Sequence, residues 1–319
     1  MRSYSLTAPA KINLYLEIIG DRADGYHEVA MVLQSIDLAD KIDLRSLSTD
    51  TIRIRCAHPQ VPTDQSNLAY KAAALMAAEF PDAFAQFGGI EITIDKHIPI
   101  AAGLAGGSTD AAAVLVGLDL FWQLGLTQSQ LEELASQLGS DVPFCIAGGT
   151  AICTGRGEML SPLPSIDNLY VVLGKYRHLE VSTAWAYQTY RAQRSGNSYV
   201  ASTQNLKSRA AAVHSSSMVQ AIIHEDLIQI GQRLHNDLER VVIPAYPQIL
   251  HLKETFQRAG CLGAMMSGSG STVFALCEDE KQAKLVQQQG RMVAPPNELD
   301  IILTRLASTG IQVLSSNKD

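Results

Sequence analysis

The chain has 319 residues, 46% of them hydrophobic and 18% charged, which is globular composition and enough length for about two domains. Its 25 basic and 32 acidic side chains leave a net charge of −7 with no basic run, so a nucleic-acid arm is excluded while a local anion site is not. Five scattered cysteines (Cys56, Cys145, Cys153, Cys261, Cys277) include no Cys-x-x-Cys pair, and we expect reduced, structural thiols. With no signal sequence and no run of about 20 apolar residues, a cytoplasmic protein without membrane or nucleic-acid partners is expected.

Residues 10–19 alternate around Ile12, Leu14, Leu16 and Ile18 and predict a strand, closed by a polar turn over residues 20–25. Strands are expected again over 29–36, 41–45 and 51–56. Near Asn67 the period changes, and Leu68, Ala72, Leu75 and Met76 share a helical face that ends before Pro81. A strand over 89–95 leads to a glycine-rich turn, followed by a long helix over 108–124. A second helix is expected over 127–138, with Thr127 as N-cap and Gly139 past its end. Residues 144–153 read as strand-like.

Pro162 and Pro164 punctuate the chain, and the domain boundary is placed at 163/164, ahead of a strand over 169–173. Helices are expected over 182–194, 227–238 and 248–259, and strands over 261–267 and 272–277. Residues 195–217 are polar, serine-rich and without period, and read as a mobile insertion with no assigned role. A mixed α+β protein in two domains is the expectation.

The glycine-rich turn is Pro99-Ile100-Ala101-Ala102-Gly103-Leu104-Ala105-Gly106-Gly107-Ser108-Thr109-Asp110. It sits between a strand and a helix, and a helix N-terminus offers unpaired N–H groups and a positive dipole end to a phosphate. Glycines let the backbone approach the anion, and Ser108 and Thr109 add hydroxyls. No lysine stands where a Walker A loop requires one, and the dinucleotide Gly-x-Gly-x-x-Gly spacing is missing. Taken alone, the segment is either a phosphate cradle or a glycine-rich turn that binds nothing.

Three further runs carry chemistry: Ala8-Pro9-Ala10-Lys11-Ile12-Asn13-Leu14 with Gly25-Tyr26-His27-Glu28; Gly139-Ser140-Asp141-Val142-Pro143-Phe144; and residues 263–272 with Ser267-Gly268-Ser269-Gly270-Ser271. Phosphoryl transfer needs charge neutralisation, positioning and a group to take the hydroxyl proton. Asp141 suits the last role, and a nearby lysine would polarise the attacking hydroxyl. By themselves, Asp141 also reads as a turn or capping residue and Lys11 as a solvated edge lysine.

In this order the four runs resemble the GHMP kinase superfamily, and within it the branch that phosphorylates a cytidine-diphosphate-linked methylerythritol in the non-mevalonate isoprenoid pathway. The resemblance spans residues 8 to about 276. Ala102, Ala105 and Thr109 depart from the family's usual glycine, glycine and serine while keeping the loop small or hydroxylated.

The resemblance implies an α+β two-domain GHMP kinase fold, with an N-terminal mixed α/β domain containing a ribosomal-protein-S5-like unit and a C-terminal ferredoxin-like α/β domain. It implies ATP as cosubstrate, with Mg²⁺ arriving alongside it, and Lys11 and Asp141 as the catalytic pair. ATP is expected on residues 99–109, with Asn67 and Lys96 near the adenine. Asn67 reads equally as a helix N-cap and Lys96 as a solvated strand end. Asn13, Tyr26, His27, Thr183 and Tyr187 are expected at the acceptor, with Tyr26 and Tyr187 stacking on cytosine and His27 reading its edge; Trp185 competes with Tyr187 for that role. A monomer or weak homodimer is expected. The competing readings are a GHMP kinase for mevalonate derivatives, homoserine or a sugar, and a non-catalytic nucleotide-binding relative.

Overall fold

The computed structural model describes residues 3–194 and 212–317. Two long strands, β1 (Ser3–Asp21) and β2 (His27–Ser46), form an antiparallel hairpin at the centre of the larger sheet. The two shorter strands expected over 29–36 and 41–45 are one continuous β2. After β3 (Ile52–Cys56) come α1 (Leu68–Glu79), α2 (Pro81–Phe87) and β4 (Ile90–Asp95), and β4 pairs parallel to β3 and antiparallel to β2.

The next segment holds α3 (Gly106–Trp122), α4 (Gln128–Ser136), α5 (Val142–Ala147), β5 (Thr150–Thr154) and β6 (Met159–Pro162). Helix α5 corrects the strand expected from residue 144. The run Val-Pro-Phe-Cys-Ile-Ala is apolar throughout, so period does not distinguish helix from strand, and Pro143 fits a first helical turn that needs no N–H.

β7 (Tyr170–Tyr176) opens the smaller sheet, whose strand order is β11-β7-β10-β9, with β9 (Gly263–Met266), β10 (Val273–Cys277) and β11 (Leu299–Arg305). Between these lie α6 (Thr183–Arg194), α7 (Ser217–Ile223), α8 (Leu227–Gln232), β8 (His235–Asn236), α9 (Glu239–Ala245), α10 (Pro247–Arg258) and α11 (Glu280–Arg291). The helix expected over 227–238 stops at Gln232, because His235 and Asn236 leave it to pair with β1 as β8. Of the expected insertion, residues 195–211 lie outside the described residues. Its last part is ordered: Ala212–Ser215 is a 3-10 turn and Ser216 caps α7 by accepting from the Val219 N–H. Two later strands, β8 and β12 (Gln312–Asn317), return to β1 in the first sheet. We propose the unit boundary at 163/164, since β1–β6 precede it and the whole four-stranded sheet follows it.

Burial on both sides of β1 sets up the site. Ala10, Ile12 and Leu14 have no exposure and pack with Leu104, Leu173, Met265 and Phe274, so one apolar cluster joins the two sheets. Each such Leu or Ile side chain contributes about 1.5–3 kcal/mol on burial. The alternate residues, Lys11 and Asn13, face the other way and are also buried. Helix α3 lies so close on β2 that a Cβ at Gly117 would stand 2.2 Å from Leu44 Cδ1. Among the described residues no helix is long and apolar enough to cross a membrane, and the five cysteines are free.

Candidate active site

A cleft of about 920 Å³ runs between the two parts of the molecule. Its floor is the inward face of β1. The β1–β2 ladder is broken between Pro9 and Lys11, and there the Lys11 N–H donates to Leu104 O at 3.1 Å, docking the glycine-rich loop on the strand. The Lys11 ammonium donates to Asn13 Oδ1 at 2.8 Å and lies 3.4 Å from Asp141 Oδ2, its side chain 5% exposed and that of Asp141 31%. Asn13 Nδ2 rests 3.5 Å from Met31 Sδ. Asp141 holds the N-cap position of α5 without making a side-chain cap bond, so its carboxylate is left to face Lys11 and the cleft.

The loop from Pro99 to Ser108 forms one wall. Ala101 (φ 49°) and Ala105 (φ 59°) adopt left-handed backbone, which accounts for the glycine usual at the second position. Ala105 caps α3 with no side-chain bond, so the first-turn N–H groups of this helix lack a cap partner beside the cleft. Thr109, expected to contact ATP, is fully buried and lies outside the cleft wall.

The loop is held from both ends. Asp40 Oδ1 accepts from the N–H groups of His97 (2.6 Å) and Ile98 (2.8 Å), while Lys96 Nζ donates to Asp40 Oδ2 (2.5 Å) and Asp110 Oδ2 (2.7 Å). Burial works against the Lys96 charge, but Asp110 and Asp40 together lift its pKa above the ordinary lysine value. The Asp110 carboxyl is pushed up to about 7, chiefly by burial, with Lys96 opposing and Asp40 adding to the rise. The Lys96 ammonium is thus taken up by carboxylates rather than solvated, although the residue borders the cleft. Asn67 also borders the cleft and its side chain is a helix cap: Oδ1 accepts from Ala69 N–H at 2.8 Å and Nδ2 donates to Pro62 O at 2.6 Å.

Residues 267–272 lean on this wall. Ser267 Oγ donates to Gly103 O at 3.0 Å and Thr272 N–H to Ala102 O at 3.3 Å. Gly103 has φ 74°, and a Cβ there would stand 2.2 Å from Ser267 O. Asn236 Nδ2 holds the carbonyls of Met266 and Gly268, both at 2.8 Å. Thr183, on the first turn of α6, meets Ser269 hydroxyl to hydroxyl at 2.8 Å.

At the other end stand Tyr26, His27 and Tyr187. Tyr26 is 57% exposed on the hairpin turn, with the Arg156 guanidinium 5.1 Å from its ring centroid. His27 and Tyr187 stack on each other, centroids 5.2 Å apart and planes at 24°. His27 Nδ1 lies 2.9 Å from Asp21 Oδ1, off the line of an ideal hydrogen bond. Burial pulls the imidazole pKa down against the opposing pull of Asp21, so the neutral ring is favoured. Burial, and then the Asp141 charge, raise the Tyr187 phenol well above its ordinary value. Trp185 points away and packs edge-on against Tyr246, centroids 5.7 Å apart.

Sequence reasoning missed several lining residues: Gln60, Val61, Pro62 and Ser66 at the glycine-rich end, and Arg156, Gln188 and Arg191 at the other. For Arg156 a signal was available, an arginine set between two glycines after an apolar strand. For the others nothing in composition or spacing distinguishes them from surface polar residues.

The GHMP kinases N terminal domain family matches residues 67–149 and the GHMP kinases C terminal family residues 218–291. A 4-diphosphocytidyl-2-C-methyl-D-erythritol kinase of Nostoc punctiforme is 68% identical over 99% of this chain and 100% of its own. One of Synechocystis is 53% identical over 99% and 100%. A crystal structure of 4-(cytidine 5'-diphospho)-2C-methyl-D-erythritol kinase superposes with a TM-score of 0.70 at 29% identity, covering 94% of this chain and 99% of that one. Homoserine kinase from Cytophaga hutchinsonii, at 20% identity and a TM-score of 0.75 over 98% and 97%, shares the fold. On these matches the chain belongs to the GHMP kinases, in the 4-diphosphocytidyl-2-C-methyl-D-erythritol kinase family.

Proposed function

We propose that the protein transfers the γ-phosphate of ATP to the 2-hydroxyl of 4-diphosphocytidyl-2-C-methyl-D-erythritol, a step of the non-mevalonate route to isoprenoid precursors. The observation that carries this reading is the Lys11–Asp141 pair, 3.4 Å apart on the cleft floor. A phosphate-suited helix N-terminus lies on one side of the pair and an aromatic–histidine cluster on the other. The hydroxyl oxygen attacks the γ-phosphorus, its proton passes to the Asp141 carboxylate, and the bond from the γ-phosphorus to the bridging oxygen breaks to release ADP. Lys11, fixed by Asn13, polarises the hydroxyl and offsets charge on the transferring group.

ATP lies along Pro99–Ser108 with its phosphates toward the first-turn N–H groups of α3, and Mg²⁺ enters as part of that substrate. Asn67 and Lys96 shape the wall beside it while serving as cap and loop anchor. At the acceptor end Tyr26 offers its exposed ring to cytosine and Tyr187 backs His27. With its proton drawn to Nδ1 by Asp21, His27 presents Nε2 as an acceptor, which suits the exocyclic amine of cytosine. Incubating the purified protein with ATP and a panel of alcohols tests the reading. Phosphorylation of homoserine, mevalonate or a sugar in place of the cytidylyl alcohol refutes it.

A further inference from the structure

The cytidylyl substrate carries a diphosphate between its base and its reacting alcohol, and the cleft must meet that charge. Among the described residues four cationic side chains other than histidine line it: Lys11, Lys96, Arg156 and Arg191. Lys11 faces Asp141 at 3.4 Å. Lys96 is divided between Asp40 and Asp110. Arg191 donates to Asp21 Oδ1 and to Gly25 O, both at 3.0 Å.

Arg156 differs. Glu158, the carboxylate beside it, accepts instead from the Arg156 backbone N–H at 2.6 Å, and the guanidinium Nε stands 3.9 Å from that carboxylate. The side chain is 35% exposed, and a planar fork of N–H donors lies open beside the Tyr26 ring. Its turn also reaches the reacting end of the cleft, because a Cβ on the next residue, Gly157, would lie 3.5 Å from Ser140 Cβ, next to Asp141. The Arg156 guanidinium thus lies beside the base-stacking ring, on a turn packed next to Ser140 in the same cleft as Asp141, within reach of a diphosphate that joins base and reacting alcohol. An arginine fork matches phosphate oxygens in a bidentate way that a point charge does not.

We infer that Arg156 is a specificity-determining residue that binds the diphosphate of the cytidylyl substrate. The inference rests on the function proposed above and adds to it the group that distinguishes a nucleoside-diphosphate alcohol from a simple alcohol. Tyr26 then serves twice, as a stacking face and as the platform that orients the guanidinium.

The test compares CDP with cytidine as ligands, with a non-hydrolysable ATP analogue filling the nucleotide end. In the wild type CDP binds more tightly than cytidine. In Arg156→Gln that preference falls about 10- to 100-fold, the worth of one or two charge-assisted hydrogen bonds, while cytidine affinity is kept. KM for the cytidylyl alcohol rises by a similar factor, and KM for ATP stays within about twofold. Arg156→Lys, which keeps the charge and loses the fork, recovers part of the preference. Equal loss of CDP and cytidine affinity would overturn the inference, since Arg156 would then only prop up Tyr26. An unchanged preference in Arg156→Gln overturns it too, leaving the proposed function standing. Wild-type protein that bound neither ligand would overturn the function and this subsite together.

Discussion

Lys96→Met would leave two carboxyl groups facing each other inside the protein with no cation to offset the one that stays ionised. Asp40 is fully buried and Asp110 is 3% exposed, and Lys96 supplies the cation that both share, at 2.5 and 2.7 Å. Removing one partner from a buried ion cluster costs about 3–5 kcal/mol, because the group left behind is desolvated without compensation. That is a large share of a typical folding stability of roughly 5–15 kcal/mol. With about 2–4 °C lost per kcal/mol, the midpoint of thermal unfolding should fall by roughly 10 °C. Circular dichroism melts and urea titrations of the wild type and variant measure this. The double variant Lys96→Met/Asp110→Asn removes one of the stranded carboxyl groups and should recover at least half of the loss. A single variant within about 1 kcal/mol of the wild type, or no recovery in the double variant, would refute the reasoning. Because Asp40 also fixes the N–H groups of His97 and Ile98, the single variant should raise KM for ATP more than KM for the acceptor.

Asp110, with its carboxyl near 7 in the fold, holds a proton that the unfolded chain gives up near pH 4, so its contribution to stability is present at low pH and lost as pH rises through about 7. Asp110→Asn should therefore flatten the fall in stability between about pH 4 and 7; an unaltered pH profile would contradict this. Asp141→Ala should lower kcat by about 10²- to 10⁴-fold with ATP affinity kept, as isothermal titration can check; near-normal turnover would eliminate it as the base. Gly103→Ala forces a Cβ to 2.2 Å from Ser267 O at a left-handed φ. It should cost about 2–4 kcal/mol and weaken ATP binding, seen in melts and KM; a neutral effect would mean that the loop and residues 267–272 are not tightly docked.

The sequence by itself determined what depends on neighbours along the chain. Thr127 is read as a helix cap, and a cap is one of the two readings of Asn67, because a cap is a local hydrogen bond; both residues make it. The phosphate-suited turn is likewise local, a strand end, small residues and a helix start. What only the tertiary structure decided is what depends on faces and distant partners. Lys11 and Asp141 lie on separate elements, and their 3.4 Å approach exists only because α5 packs beneath β1. Trp185 and Tyr187, two residues apart on α6, point to nearly opposite sides, and only packing chooses which of them meets the cleft. Lys96 looks like a strand-end lysine, and burial between carboxylates from β2 and α3 makes it a loop anchor. Short apolar runs such as residues 142–147 lack a period long enough to tell helix from strand, and the surrounding packing settles them.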